Sequence, residues 1–552
     1  MKPIKKSHSI KQVKLFFVLT LFAVLSFLTM FSSSWAATYY VDATNGNDSN
    51  DGLALSTAWK TIAKVNASNF QPGDFILFKR GEIWREQLTV PSSGTSGHPI
   101  TFGAYGTGNN PVISGANIAS TWTDEGSSIY SATLTTEPEQ LFYDDTRLTE
   151  NGGTTTSVGS NEWDWDSNTL YINVGEDPSG GYVEISQRNF ALWMSSKNYL
   201  TFQNLSFTKA NGDVAVILID GSDITYDKIS VSNGAWHGIA IVGGENITIE
   251  NSDIYGNESA GIFSWKVAAT EGNEVLIKSN TVHDNKTFGI EIVSDYHIIE
   301  YNTVYDNGSA GSYSGIEVDN VYDGDDFPNH NIIRYNTVYG QIANGDDGTG
   351  IYADEYSDYT DIYYNVVYGN DGPGISTFKA DYVNIYNNTV YGNCQNSSGE
   401  LTHFNEIHNY GNGTANSTNV VIKNNLVQAT VANTYNIYFN RETYNMTGLD
   451  ISNNIWYSTS MNWYYWNDSG GNNLSTWNGF TGVGTDFNED PLITDPDNAD
   501  FTLQVTSLAI DSGTDVGLSQ DYTGNSIVEA PDIGAYEYQG LAKPTNFRIR
   551  TP

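Results

Sequence analysis

From Gly315 to Asp326 the chain reads GIEVDNVYDGDD, five carboxylates in twelve residues with no base among them. Glu291 precedes this stretch, and Asp346, Asp347, Asp354 and Glu355 follow it. Acids crowded in this way suit two kinds of chemistry. They can ligate a hard cation, for which calcium is the natural candidate because it takes about six to eight oxygens from carboxylates, carbonyls and water. Alternatively, two of them can share the work of acid and base. A carboxyl pair about 5 to 5.5 Å apart suits a retaining glycosidase, and one about 6.5 to 9.5 Å apart an inverting glycosidase. A solvated acidic face is the plain alternative. Lys379, in GISTFKAD, is the nearest base to the group, and only Lys423 accompanies it between Arg334 and Arg441.

What brings these residues together is a repeat. ITIENSDIYGN, VLIKSNTVHDN, IIEYNTVYDN, IIRYNTVYGQ, IYYNVVYGN and VNIYNNTVYGN follow one another along the chain, each a short strand, an Asn turn and another short strand. The equivalent Asn280, Asn302, Asn336, Asn365, Asn388, Asn425 and Asn454 are 22 to 37 residues apart, a minimal unit of 22 carrying insertions. Apolar residues alternate with period two and β-branched and Tyr residues dominate, so the unit is β rather than helical. Stacked Asn side chains can hydrogen-bond from coil to coil and set the register. A second landmark, Gly-Ile at 238, 261, 289, 315, 350 and 374, opens another strand, giving three strands per coil. The expected fold is all-β, a parallel solenoid of stacked coils.

Counting from Gly-Ile places the acids. Ile292, Val318, Ala353 and Thr377 should face inward. Glu291, Glu317, Tyr352 and Ser376 then form one outward column, and Val293, Asp319, Asp354 and Phe378 a second. Strands of neighbouring coils lie about 4.8 Å apart, so Glu291 should stack on Glu317 and Asp319 on Asp354, an arrangement of like charges that is destabilising unless neutralised. Glu317 with Asp354 or Asp319 would be the pair in a glycosidase. The insertions GSAGSYSG, QIANGDDGTG and NCQNSSGELTHFNEIHNYGNGT enter beside this face and could wall a groove. Trp265 and Tyr352 are candidates to stack on substrate, and Lys266 and Arg441, one place beyond the outward column, to hold its charged groups.

The remainder of the chain divides around the repeat. Residues 1–36 carry Lys2, Lys5, Lys6, Lys11 and Lys14, then the apolar LFFVLTLFAVLSFLTMF and small residues at SSSWA, the pattern of an export signal cut after Ala36. An uncut membrane anchor is the alternative; no later stretch is long and apolar enough to span a bilayer. Residues 37–120 read as N-terminal cap and first coils, with Ser56 or Thr57 as N-cap of a closing helix. Residues 121–196 read as an inserted antiparallel β-subdomain, 197–460 as the main parallel β-helix with its groove, 461–540 as C-terminal cap, and 541–552 as a linker-like tail.

Composition bounds the partners. The chain has 25 Lys plus Arg against 64 Asp plus Glu, and losing the five leader lysines leaves 20 against 64, a balance of −44. Nucleic acid, which needs a basic surface, is excluded as a partner. Cys394 has no second cysteine to pair with, so burial and hydrogen bonding must hold the fold. A secreted monomer without a membrane partner is expected.

The NTVYxN and xGI repeats, the opening YYVDATNGNDSNDGLALSTAWKTIAKV, PGDFILFKRGEIW and the closing DIGAYEY together resemble the right-handed parallel β-helix proteins of the pectate lyase superfamily, over roughly Thr38 to Tyr538. That resemblance implies a carbohydrate-active fold shared by lyases, hydrolases, epimerases and non-catalytic proteins. It implies first a polysaccharide lyase acting on an acidic, uronate-containing polysaccharide, with calcium held by Glu291, Glu317, Asp319 and Asp354, and with Lys379 as the base that takes the proton α to the uronate carboxylate. The metal would neutralise that carboxylate and stabilise the enolate-like intermediate. A carboxylate-pair glycoside hydrolase and a non-catalytic carbohydrate-binding β-helix are the alternatives. A salt bridge to Glu355 or Asp354 is the structural role open to Lys379. HFNEIH, with His403 and His408, lacks zinc-protease spacing and reads as loop. Trp456, Trp463, Tyr464, Tyr465, Trp466 and Trp477 read as cap packing.

Overall fold

A computed structural model describes residues 36–153, 157–212, 214–320, 328–344, 347–396, 405–410, 417–439, 447–458, 463–466, 469–482 and 484–540. The segment expected to be an export signal, but for Ala36, the C-terminal tail, Arg441, His403, Asp323, Asp325, Asp326 and Asp346 lie outside them.

Three long sheets run the length of the molecule. The first has 13 strands, from Thr38–Val41 to Asp450–Ser452, the second 12, from Ile83–Trp84 to Ile455–Ser458, and the third 13, from Leu88–Thr89 to Ser469–Gly471. Successive coils pair in parallel with like on like, as at Ile290, Ile316, Ile351, Ile375, Ile407 and Ile437 in the third sheet. Those six side chains are fully buried, and such stacks of Ile and Val fill the interior between the three sheets. The protein is a right-handed parallel β-helix.

The Asn column forms as a continuous ladder. From Asn280 through Asn302, Asn336, Asn365, Asn388 and Asn425 to Asn454, each Nδ2 donates to the next Oδ1 at 3.0 Å. Asp486 accepts the last bond, from Asn454 Nδ2 at 3.2 Å. A second ladder, absent from the expectations above, runs Asn257, Asn285, Asn307, Gln341, Asn370 and Asn393 and ends on Glu406, with the step from Gln341 to Asn370 made by the Gln341 backbone N–H. An amide offers donor and acceptor together, so it can continue such a chain indefinitely; a carboxyl group terminates it. Burial raises the Glu406 carboxyl to about 8.

The ends differ from expectation in detail. The N-terminal helix is Ile62–Asn66, capped by Thr61, whose side chain accepts from Lys64 N, whereas Leu55–Thr57 makes only a single 3-10 turn. Neither Ser56 nor Thr57 is therefore the cap. At the other end, helix Leu474–Thr481 wedges Trp477 among Trp456, Trp463 and Trp466, with ring centroids 5.4 to 5.9 Å apart. DIGAYEY packs across the coils: Gly534 N donates to Asn424 O and Ala535 N to Thr389 Oγ1. The antiparallel insert starts with strand Ala116–Ala119 and ends with Val183–Ser186, so the boundary expected at 196 is too late; Leu192–Ser195 already pairs in the third sheet. HFNEIH is not all loop, since Asn405–Tyr410 is a strand of that sheet. Among the described residues no helix is long and apolar enough to cross a membrane.

Candidate active site on the third sheet

The outward face of the third sheet changes character along the helix axis. One column runs Ala240, Phe263, Glu291, Glu317, Tyr352, Ser376, His408, Tyr438 and Tyr465. Glu291 thus stacks on Glu317. Ile292, Val318, Ala353 and Thr377 alternate with the column and are fully buried, as an inward face requires. The N-terminal part of the face is apolar, with Phe263 and Val293 packed beside Trp265 and Phe288. Extending the Gly-Ile count backwards to 238 and 261 would have disclosed this apolar part. The acids follow, and aromatic rings come after them.

Glu317, Asp319 and Asp354 converge: one carboxylate oxygen from each lies within 4.8 Å of those of the other two. Backbone bonds hold the two aspartates at the strand ends, Asp319 N donating to Ile292 O at 3.0 Å and Asp354 N to Val318 O at 2.8 Å. Insertion loops stack beside the strands, with Ile342 N bonded to Asn307 O and Gly348 N to Tyr313 O. Glu317 is 5 % exposed, whereas Asp319 and Asp354 are only half-buried.

Burial and mutual repulsion hold protons on this group. Burial first, and then the charge of Asp319, raises Glu291 to about 8. Burial, reinforced by the Asp354, Asp319 and Asp347 charges, lifts Glu317 well above the carboxylate range. Asp354 rises to about 8 from burial and the Asp319, Glu355 and Asp347 charges. Asp319 rises to about 6: burial is the main cause, opposed by a backbone hydrogen bond from Asn320 and reinforced by the Glu355 charge. The order of the two places Asp319 as the readier to ionise and Asp354 as the group that holds its proton to higher pH.

Other predicted site residues are placed differently from one another. Glu291 adjoins the convergent trio without being one of it. Lys379 takes a left-handed backbone, φ 50°, which turns its side chain over the Phe378 ring, 4.4 Å from the centroid, and into an ion pair with Glu355. Lys266 does the same over Trp265, at 4.2 Å. Tyr352 does not offer a ring face to a substrate. It is 4 % exposed, its hydroxyl bonds that of Tyr410, and Tyr410 in turn stacks on Phe378 and His408 at 4.4 and 4.2 Å. Two long aromatic side chains on neighbouring columns fill the space that an exposed ring would have required.

Comparison with known proteins agrees with the fold. A family model described as a right handed beta helix region matches residues 151–320. The lacto-N-biosidase of Bifidobacterium longum subsp. longum is 23 % identical over 325 residues, 51 % of this chain; the match spans only 17 % of that protein's length. The structure of XylC with xylose superposes with a TM-score of 0.56 at 14 % identity, covering 90 % of this chain and 98 % of that one. The GH136 lacto-N-biosidase from Eubacterium ramulus gives 0.45 at 16 % identity, over 75 % of this chain and 65 % of that one.

Proposed function

We propose that this chain is an exported glycoside hydrolase that cleaves a neutral glycan with a carboxyl pair on the third sheet. The carrying observation is the convergence of Asp319 and Asp354 above the buried Glu317, with proton affinities that separate their roles. Asp354, the group that holds its proton to higher pH, donates that proton to the glycosidic oxygen as the bond to the anomeric carbon breaks. Asp319, ionised, attacks that carbon, and the short separation of the pair fits a retaining route through a glycosyl-enzyme. Asp354, having lost its proton, then draws one from the incoming water, and the hydroxide displaces Asp319. Glu317 lies too deep to touch substrate and acts on the pair through its proton. The weak likeness to a lacto-N-biosidase supports a glycan as substrate. The pairing of Lys379 with Glu355 also favours this reading over one that needs a free basic lysine.

A second reading rests on the same trio: three carboxylates this close fit a hard cation. With calcium bound there, the metal would supply charge neutralisation for a uronate, and Lys379 would have to leave Glu355 to take the α-proton. Product analysis separates the two. Incubation with neutral and uronate glycans should yield saturated products with retained anomeric configuration, and activity should resist a chelator. Ultraviolet-absorbing unsaturated products that vanish with chelator would establish the lyase instead. Asp354→Asn should lower turnover by about 10²- to 10⁴-fold with the fold intact.

A further inference from the structure

A second concave surface lies on a different sheet. Between the antiparallel insert and the outer face of the second sheet is a groove of about 950 Å³, within the range of small-ligand sites. Its floor follows from one side-chain column: Ser114, Thr208 and Ser232 occupy three successive coils, and the next coil places Tyr255 at the same position. From there the column continues as rings, Tyr255 on His283 at 5.1 Å and His283 on Tyr305 at 4.8 Å. Small hydroxyl side chains thus make a trough four strands wide, about 14 Å, and Tyr255 closes one end. Ser206 and Ser230 line a parallel row.

The insert builds the opposite wall. Tyr182 stands there 65 % exposed. Lys209 pairs with Glu184 and with Asp145, at 2.5 Å for the latter, and Arg85 Nη2 lies 3.0 Å from Glu184. Arg85 Nη1 is buried without a hydrogen-bond partner among the described residues. With Asp144, the lining carries two bases and three acids, so it has almost no net charge. Such a lining offers an anion nothing. Thr208 Oγ1 and the buried Ser232 Oγ bond each other at 3.1 Å and the buried Ser114 Oγ accepts from Ala116 N, which leaves the half-buried Ser206 and Ser230 hydroxyls, flanked by Tyr182 and Tyr255, to match a ligand that is itself hydroxyl-rich with apolar ring faces.

We infer that this groove is a second, non-catalytic binding site for a neutral oligosaccharide segment. It shares no residue with the acidic cluster, so it stands independently of the hydrolase reading. The test is affinity electrophoresis of the full chain in gels carrying xylan, galactomannan, mixed-linkage glucan or polygalacturonate, with Asp354→Asn as background so that the glycan survives. Retardation in at least one neutral gel is expected. Tyr182→Ala should weaken it about fivefold by removing one ring contact, and Ser230→Trp, which fills the trough, should weaken it further, leaving only what the catalytic face binds; circular dichroism checks that both remain folded. No retardation in any neutral gel, retardation by polygalacturonate alone, or unchanged retardation in Tyr182→Ala with Ser230→Trp would overturn the site.

Discussion

Replacing Glu317 with glutamine removes one potential charge from three carboxyl groups whose oxygens converge within 4.8 Å, while keeping the side chain's shape. The folded protein holds the Glu317 proton far more tightly than an unfolded chain, whose glutamates titrate near 4.5. A group raised in this way leaves stability untouched below pH 4.5 and withdraws it as pH rises through the folded value, because the unfolded chain releases the proton first. The variant lacks that withdrawal, so its advantage should be absent at pH 4 and grow to pH 8 and above. Two unit charges 4.8 Å apart at an effective dielectric of 20 repel by about 3.5 kcal/mol, which bounds the gain from sparing Glu317 the charge of Asp319. For a chain of this length roughly 1 kcal/mol corresponds to 1 °C, so Glu317→Gln should melt about 3 °C above the parent at pH 8 and level with it at pH 4. Calorimetry in EDTA measures this. An equal difference at both pH values, or a less stable variant at pH 8, would refute the reasoning. Adding calcium then separates the two readings of the site: if the trio binds the ion, the parent gains stability at pH 8 and Glu317→Gln loses most of that gain.

The pH–rate profile should be a bell whose acid limb reports Asp319 near 6 and whose alkaline limb reports Asp354 near 8. Because the Asp347 charge helps to raise Asp354, Asp347→Asn should move the alkaline limb to lower pH; a shift to higher pH contradicts the assigned field. Lys379→Ala should leave turnover within about threefold and cost about 1 kcal/mol of stability through its lost ion pair and ring contact; loss of turnover with intact fold would restore the lysine to a catalytic role. Asn336→Leu strands its partners at Asn302, Ile299 and Asn365 inside the ladder, so it should cost at least about 3 kcal/mol, read by denaturant unfolding. Mass determination of the exported protein should show loss of residues 1–36.

How much of this could be read from the sequence differs between the fold and the site. Columns in a β-helix are set by counting, since one residue shifts a side chain to the other face and a Gly-Ile landmark resets the count each coil. For that reason the stacking of Glu291 on Glu317, the inward Val318 and Ala353, and the Asn ladder were all legible. The second ladder was legible too, in the final Asn of NTVHDN and NTVYDN, but it was masked by a Gln at 341 and by insertions that break its spacing.

Depth and partners were not legible. Glu317 and Tyr352 lie in an outward column and are buried, Tyr352 with its hydroxyl bonded to that of Tyr410, and counting cannot report what another segment does to a surface. The direction of Lys379 depended on a left-handed turn that a lysine adopts only under tertiary constraint. The groove beside the insert arises where the insert and the second sheet meet. Sequence by itself determined the periodic quantities, strand, register and column, because they repeat locally. Tertiary structure alone decided burial, proton affinity and cavity shape, because these depend on segments far apart in the chain whose approach no local repeat encodes.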